Sequence, residues 1–289
     1  MEISRRDALK VIAGTAALAA LPRARADEPK APEPVSQAPG SFRHSVCRWC
    51  YSKMPLEDLA REAKRIGLES VELLEPSEWA VVQKHGLTCA MAMGATKIPE
   101  GLNRIEHHAV QVPGMIERIG QCADAGLPNV IVFSGNRAGM DDELGLKNCA
   151  IALKQIVGAA EKRKVTVCME LLNSKVDHHD YMCDHTAWGV ELVKQVGSER
   201  FKLLYDIYHM QIMEGDVVRT IRENHAYIAH YHTGGVPGRH EIDDSQELNY
   251  PMIARAIKET GHRGYLAQEF IPAKDPMTSL ANAVRLCTV

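Results

Sequence analysis

The sequence predicts an α/β fold, a single (β/α)₈ or TIM barrel over residues 41–289, from three observations. Short runs rich in Val, Ile and Leu alternate with longer amphipathic stretches, which is typical of a parallel sheet wrapped by helices. Eight such runs occur, or one unit per roughly 31 residues, the length of a βαβ repeat. No G-x-G-x-x-G follows the first run and no Walker sequence occurs, which disfavours a doubly wound nucleotide-binding sheet.

Each element can be placed along the chain. The predicted strands are residues 43–49, 70–74, 87–93, 129–133, 165–170, 202–206, 228–232 and 265–270. Apolar residues at helical spacing predict helices over 56–66 and 145–163, others that start near Asp180, Gly215 and Tyr250, and a last one from about Pro276. In such a barrel the functional groups lie at the C-terminal ends of the strands and in the loops that follow them.

The composition is that of an ordinary globular protein, with 45% hydrophobic and 25% charged residues among 289. The 34 Lys and Arg residues against 37 Asp and Glu give a net charge of -3, so no basic field for nucleic acid is expected. No apolar stretch is long enough to span a bilayer, and no membrane anchor is expected. The sequence does not determine the oligomeric state and leaves a homo-oligomer open.

Residues 1–26 have the pattern of a cleavable twin-arginine signal peptide. The pair Arg5-Arg6 precedes an apolar run over 11–21, and a small-x-small pattern predicts cleavage after Ala26. A basic amphipathic helix of the fold is the alternative, but the run has no polar face. The signal predicts that twin-arginine export machinery handles the precursor and that the protein is periplasmic or otherwise exported. The proline-rich residues 27–40 predict an extended linker before the barrel.

Four of the predicted strands, the last four, end in residues that can bind a metal: Glu170, Asp206, His232 and Glu269. Burying an unpaired carboxylate costs several kcal/mol or shifts its pKa, so a positive group is expected among them. Caps or surface ion pairs are the alternative for each residue taken singly. Three carboxylates and one imidazole favour Mn²⁺ or Mg²⁺, while the imidazole keeps Co²⁺ and Zn²⁺ open.

Three further residues are candidates for substrate binding. His209 follows Asp206 by three residues, and Arg239 lies after the seventh predicted strand, where its planar fork can hold an anionic group. Trp49, with Tyr51, is predicted to form an apolar wall against the substrate carbons. A solvated loop residue is the alternative for His209 and Arg239.

The eight cysteines are spread along the mature chain, which predicts mostly buried thiols and not a disulfide framework. Cys47 and Cys50 form a C-x-x-C at the end of the first strand. We interpret them as a pair that lines the pocket, with a disulfide or a redox pair as alternatives.

Several motifs resemble those of hydroxypyruvate isomerases, in the superfamily of xylose isomerase-like sugar isomerases and epimerases. They are Glu170-Leu171-Leu172-Asn173, Tyr205-Asp206-Ile207-Tyr208-His209-Met210-Gln211, Glu214-Gly215-Asp216, Pro237-Gly238-Arg239-His240-Glu241 and Leu248-Asn249-Tyr250-Pro251. The resemblance implies a metal held by Glu170, Asp206, His232 and Glu269. It also implies acid/base roles for Glu170 and Glu269 and substrate contacts by His209 and Arg239. At position 232 some hydroxypyruvate isomerases carry Gln, and the related ketose epimerases carry His.

The expected activity is therefore isomerisation of a small α-hydroxycarbonyl compound, such as hydroxypyruvate or a ketose, by proton transfer through an enediolate. A sugar 3-epimerase and a keto-inositol dehydratase on the same metal site are alternatives. A phosphodiesterase would require more metal-binding histidines and a basic groove. An exported sugar-binding barrel without catalysis is the non-enzymatic alternative.

Overall fold

A computed structural model of the protein describes residues 42–289. The predicted signal peptide (1–26) and linker (27–40) lie outside the described residues, so both stay predictions. Within the described part of the chain, no helix is long and apolar enough to cross a membrane.

The sheet is parallel throughout and curls into the predicted TIM-barrel-like wall. Within residues 42–289 it contains seven strands, β1 (Arg43–Cys47), β2 (Ser70–Glu72), β3 (Asn129–Val132), β4 (Thr166–Glu170), β5 (Phe201–Asp206), β6 (Ile228–Thr233) and β7 (Tyr265–Gln268). Their order is β2-β1-β7-β6-β5-β4-β3. Because all strands run the same way, their C-terminal ends meet at one rim.

The predicted third strand, residues 87–93, fills the gap between β2 and β3 but does not form a regular strand. It makes only isolated parallel bridges, from Ser70 to Thr88, Leu74 to Ala92, and Ala92 to Val130. At Ala90, bonds to side chains replace the backbone hydrogen bonds between neighbouring strands. The N–H of Ala90 donates to Ser70 Oγ at 2.8 Å, and its C=O accepts from Asn129 Nδ2 at 2.8 Å. The third predicted strand therefore lies where the prediction placed it, between β2 and β3, but it is not a regular strand.

Helices cover the outside of the wall. Those in the described chain are α1 (Leu56–Ile66), α2 (Trp79–Lys84), α3 (Ile105–Asp124), α4 (Asp142–Arg163), α5 (Thr186–Val196), α6 (Ile207–Met213), α7 (Val217–Asn224), α8 (Tyr250–Glu259) and α9 (Pro276–Cys287). The bounds of α1 and the starts of α8 and α9 are as predicted. In α1, Leu59, Ala60, Ala63 and Ile66 form one buried face, and Gly67 ends the helix with φ 107°.

Among the helices that differ from the prediction, two do so for local reasons that can be named. The helix expected near Asp180 begins at Thr186 instead, because Asp180 adopts φ 71° and its carboxylate accepts from the N–H of Ala138 at 2.6 Å. The pattern did not single out α3, which contains Pro113 and exposes Val110. An internal proline and exposed apolar residues obscure the helical period.

Close packing at the irregular wall segment predicts a stability effect at Gly94. A Cβ at this position would overlap the carbonyl oxygen of Ile131 in β3. We therefore expect Gly94→Ala to lower the free energy of unfolding by about 2 kcal/mol or more. On α3, a Cβ added to Gly120 would have no neighbouring atom within 4 Å among the described residues. Gly120→Ala should therefore leave the free energy of unfolding unchanged or raise it by about 0.5–1 kcal/mol. Chemical denaturation measures both, and equal midpoints for the two variants would contradict the packing argument.

Candidate active site

The four predicted metal-binding residues meet at the rim. Glu170 and Asp206 end β4 and β5, His232 is the penultimate residue of β6, and Glu269 directly follows β7. Asp206 and His232 are paired in register between their strands. One possible ligand atom from each of the four lies within 4.8 Å of the others, and all four residues are at most 5% exposed. The structure thus brings together in one buried cluster the residues that sequence reasoning selected one by one.

A carboxylate below the cluster orients His232. Glu72, the last residue of β2, is fully buried, and its Oε1 lies 2.9 Å from Nε2 of His232 and 2.8 Å from Nε2 of His230. The charges of the two histidines outweigh the effect of burial and hold the pKa of Glu72 low, at about 2, so it is ionised and can only accept. Both histidines therefore donate through Nε2.

The other ring nitrogen of His232 consequently faces the cluster. Nδ1 lies 2.5 Å from Glu269 Oε2 and 3.3 Å from Glu170 Oε1, yet it has no hydrogen-bond partner of acceptable geometry among the described residues. Burial opposes a charge on the ring, but the neighbouring acidic groups raise the pKa of His232 well above its usual value, so the cluster favours a positive charge at Nδ1, either a proton or a bound cation. A divalent cation between these atoms would replace that proton and be bound by Nδ1.

The charges of the cluster fit a divalent ion. Three carboxylates, Glu170, Asp206 and Glu269, face one guanidinium, since Arg239 Nη2 lies 2.7 Å from Asp206 Oδ2 and 2.5 Å from Glu269 Oε2. When His232 binds a cation through Nδ1 its ring is neutral, and two negative charges are then left over. Burial accordingly raises the pKa of both Glu170 and Asp206. Burial would also raise the pKa of Glu269, but the charges of Arg239 and His232 hold it well below its usual range.

The three predicted substrate-binding residues face the same cavity as Glu170 and Glu269. Trp49 lies in a short 3₁₀ turn after β1, and its Nε1 donates to Glu269 Oε1 at 2.6 Å. Arg239 Nη1 donates to His209 Nε2 at 2.7 Å. Burial and the neighbouring Arg239 lower the pKa of His209 well below its usual value, so the imidazole is neutral. Tyr51, which we expected beside Trp49, is buried and is not among the residues that line this cavity.

Arg239 is held rigidly from several sides. Its backbone adopts φ 56°, a left-handed conformation that costs a residue with a side chain on the order of 1 kcal/mol or more. Its N–H donates to the carbonyl of Gly235 at 2.8 Å, and its carbonyl accepts from Ile271 at 2.7 Å. The guanidinium carbon lies 4.7 Å from the ring centre of Tyr208 and 5.6 Å from that of Trp49. The positive charge is thereby fixed at the edge of the carboxylate cluster.

Sequence reasoning missed Glu72 and His230. The signal that could have revealed Glu72 was a carboxylate inside the apolar run 70–74, and His230 was visible two residues before His232, on the same face of its strand. Only residues at the ends of apolar runs were selected as metal ligands, so both were overlooked.

The cysteine pair does not behave as predicted. Cys47 and Cys50 are separate thiols, and neither is among the residues lining the cavity. Cys47 points into the barrel, with Sγ 3.8 Å from His232 Nε2. Burial raises the pKa of both thiols well above the usual value, which disfavours a redox role. Elsewhere the prediction of mostly buried thiols is confirmed, because only Cys50 of the eight is partly exposed.

Comparisons with known proteins agree with this architecture. Residues 60–286 match the xylose isomerase-like TIM barrel family. A 2-oxo-tetronate isomerase from Cupriavidus necator is 31% identical over 77% of this chain and 89% of its own length. A Homo sapiens protein named "Putative hydroxypyruvate isomerase" is 25% identical over 81% of this chain and 80% of its own length.

The fold is also found among solved structures. AP endonuclease family 2 from Brucella melitensis has a TM-score of 0.75 at 22% identity, with 85% of this chain and 98% of that chain covered. This likeness concerns the fold alone. The family match extends over most of the sequence, and the relatives confirm the resemblance noted from the motifs. The chain therefore belongs to the xylose isomerase-like TIM barrel family, and its relatives make it an isomerase.

Proposed function

We propose that the protein is a divalent-metal-dependent isomerase of a small α-hydroxycarbonyl compound, of the hydroxypyruvate or 2-oxo-tetronate kind. One observation carries the proposal. Two glutamates, an aspartate and an imidazole nitrogen that has no hydrogen-bond partner among residues 42–289 converge in a buried cluster that opens into a cavity.

Glu170, Asp206, His232 and Glu269 would hold the cation. Hard oxygen donors favour Mn²⁺ or Mg²⁺, and the imidazole keeps Co²⁺ and Zn²⁺ available. A bound divalent ion supplies Lewis-acid stabilisation of the negative charge that develops on the substrate oxygens when a proton leaves the adjacent carbon.

The chain's own residues account for the proton transfer. Glu170 and Glu269 reach the cavity from wall positions that are three strands apart, so they can address different sides of one substrate. In this proposal one carboxylate takes the proton from carbon, and it or the other returns the proton to the neighbouring carbon. Trp49 holds Oε1 of Glu269 in place, and Arg239 offers a positive charge to an anionic group of the substrate.

A sugar 3-epimerase is the second candidate, and one residue favours it. Position 232 carries His, as in the ketose epimerases related to the hydroxypyruvate isomerases that the motifs resemble, and not the Gln of some hydroxypyruvate isomerases. Both reactions begin with proton removal beside a carbonyl, so the products distinguish them. Isomerisation moves the carbonyl, whereas epimerisation inverts one carbon.

We also propose, from the twin-arginine pattern of residues 1–26, that the precursor is exported and that the enzyme works outside the cytoplasm.

The proposed function predicts metal-dependent exchange of carbon-bound hydrogen. Protein loaded with Mn²⁺ or Mg²⁺ and incubated in D₂O with hydroxypyruvate, 2-oxo-tetronate and a panel of ketoses should incorporate deuterium at the α-carbon of at least one substrate. Dialysis against a chelator should abolish exchange, and either ion should restore it. Mass spectrometry of the products measures the label and identifies the reaction. Full activity in a metal-free preparation would contradict the proposal.

Removal of either glutamate's charge should stop the reaction while the fold survives. We expect Glu170→Gln and Glu269→Gln to lower the rate on the order of 10³-fold or more, because each loses both a proton-transfer group and a cation ligand. Steady-state kinetics measure the effect. Glu191→Gln, on the exposed face of α5, is the matched control and should retain wild-type rates. Near wild-type turnover in either active-site variant would remove that residue from the mechanism.

The contact between Glu72 and His232 predicts an effect on metal affinity. In Glu72→Gln the acceptor loses its charge and holds the Nε2–H of His232 less strongly, so the dissociation constant for Mn²⁺ should rise about 10–100-fold. Competition with a chromogenic chelator measures the constant, and thermal unfolding of the metal-free protein reports whether the fold is intact. An unchanged dissociation constant would show that Glu72 does not act through His232.

A further inference from the structure

The cavity above Glu170 and Glu269 is larger than a three- or four-carbon acid requires. Its volume is about 730 Å³, within the range of roughly 300–1,000 Å³ typical of pockets that bury drug-sized ligands. Polar groups that can act on the reacting carbons, Glu170, His209, Arg239 and Glu269, all lie at one end. The remaining volume is available to a part of the ligand that does not react.

The wall around that remaining volume is mainly apolar. Leu73, Met93, Ile131, Phe133 and Leu172 line its inner part. A sugar chain would bring several hydroxyl groups against these side chains, and each buried hydroxyl left without a partner costs about 1–3 kcal/mol. A polyhydroxylated tail fits this wall poorly, whereas an apolar group fits it well.

The rim of the cavity is apolar as well. Trp49, Val176 and Ile271 line it and are 42%, 57% and 41% exposed. Large apolar side chains grouped in solvent at the entrance of a pocket are typical of a ligand-binding surface. Apart from the four groups at the reacting end, the polar side chains that line the cavity are Asp177, His178 and Tyr208, and Tyr208 Oη donates to Asp177 Oδ2 at 2.8 Å, so most of the remaining lining is apolar.

We infer that the substrate is an aryl-bearing hydroxycarbonyl compound, with the hydroxycarbonyl end at the carboxylate cluster and the aromatic group against the apolar wall. The reacting end rests on the proposed function, while the aromatic end rests on the cavity. The bound ring would lie against Phe133 and its apolar neighbours and be shielded from water at the rim by Val176 and Ile271.

Two ketols with identical reacting carbons test the inference, namely hydroxyacetone and 1-hydroxy-4-phenylbutan-2-one. With the cation-loaded protein, deuterium exchange gives kcat/KM for each, and calorimetry gives each dissociation constant. We expect the phenyl ketol to be favoured by about 30-fold or more in both quantities, because its ring buries apolar surface. Equal kcat/KM values, or equal dissociation constants, would overturn the inference.

A pair of double variants locates the effect. Val176→Asn with Ile271→Asn should reduce the preference for the phenyl ketol about 10-fold. Val110→Asn with Ile151→Asn makes the same changes at exposed positions on α3 and α4 outside the cavity and should leave the preference unchanged. A preference that survives the rim substitutions would mean that the ring binds elsewhere, and the inference would fail.

The two proposals fail in different ways. Preferential binding of the phenyl ketol without deuterium exchange into either compound would count against the isomerase and support the aromatic site. Exchange into both ketols with equal kcat/KM would support proton transfer and overturn the aromatic substrate class.

Discussion

Three buried carboxylates lie close together at the C-terminal end of a parallel barrel and require positive charge nearby. Arg239 and a site suited to a cation meet this requirement. Glu170, Asp206 and Glu269 are held within a few ångströms of one another by strands that cannot move apart without breaking the sheet. Arg239 supplies one positive charge, from a loop whose backbone is held in a left-handed conformation. Two negative charges are left over when His232 binds a cation, which suits a divalent ion, and burial raises the pKa values of Glu170 and Asp206.

A second layer of polar residues lies deeper in the barrel and sets the orientation of the first. Glu72 binds both His230 and His232, so one ionised carboxylate fixes the tautomer of the imidazole that enters the cluster. All three side chains are completely buried. The buried charge of Glu72 is tolerated there because its Oε1 accepts from a donor on each of the two histidines.

The cavity has a charged floor, formed by the carboxylate cluster with Arg239, and an apolar wall, formed by the lining residues around Phe133. The two parts have different functions. The floor determines which chemistry is possible, since proton transfer beside a carbonyl needs bases and charge stabilisation at one point. The wall determines which molecule binds there, because contact with it stabilises bound apolar groups, whereas burying an unpaired hydroxyl against it costs free energy. Relatives within one barrel family can therefore share a floor and differ in the ligand that the wall accepts.

The sequence by itself determined the repeat of strand and helix, seven regular strands close to their predicted positions, and the four residues at the ends of the last four predicted strands. Each of these follows from local pattern, since an apolar run that ends in a charged residue can be read without knowing what lies beside it. Tertiary structure decided what local pattern cannot contain. Ser70 and Asn129 bind the backbone of Ala90 from neighbouring strands and so interrupt the third predicted strand. Glu72 reaches His232 across 160 positions of sequence, and the apolar cavity is assembled from loops far apart in the chain, because closing the barrel brings these residues together.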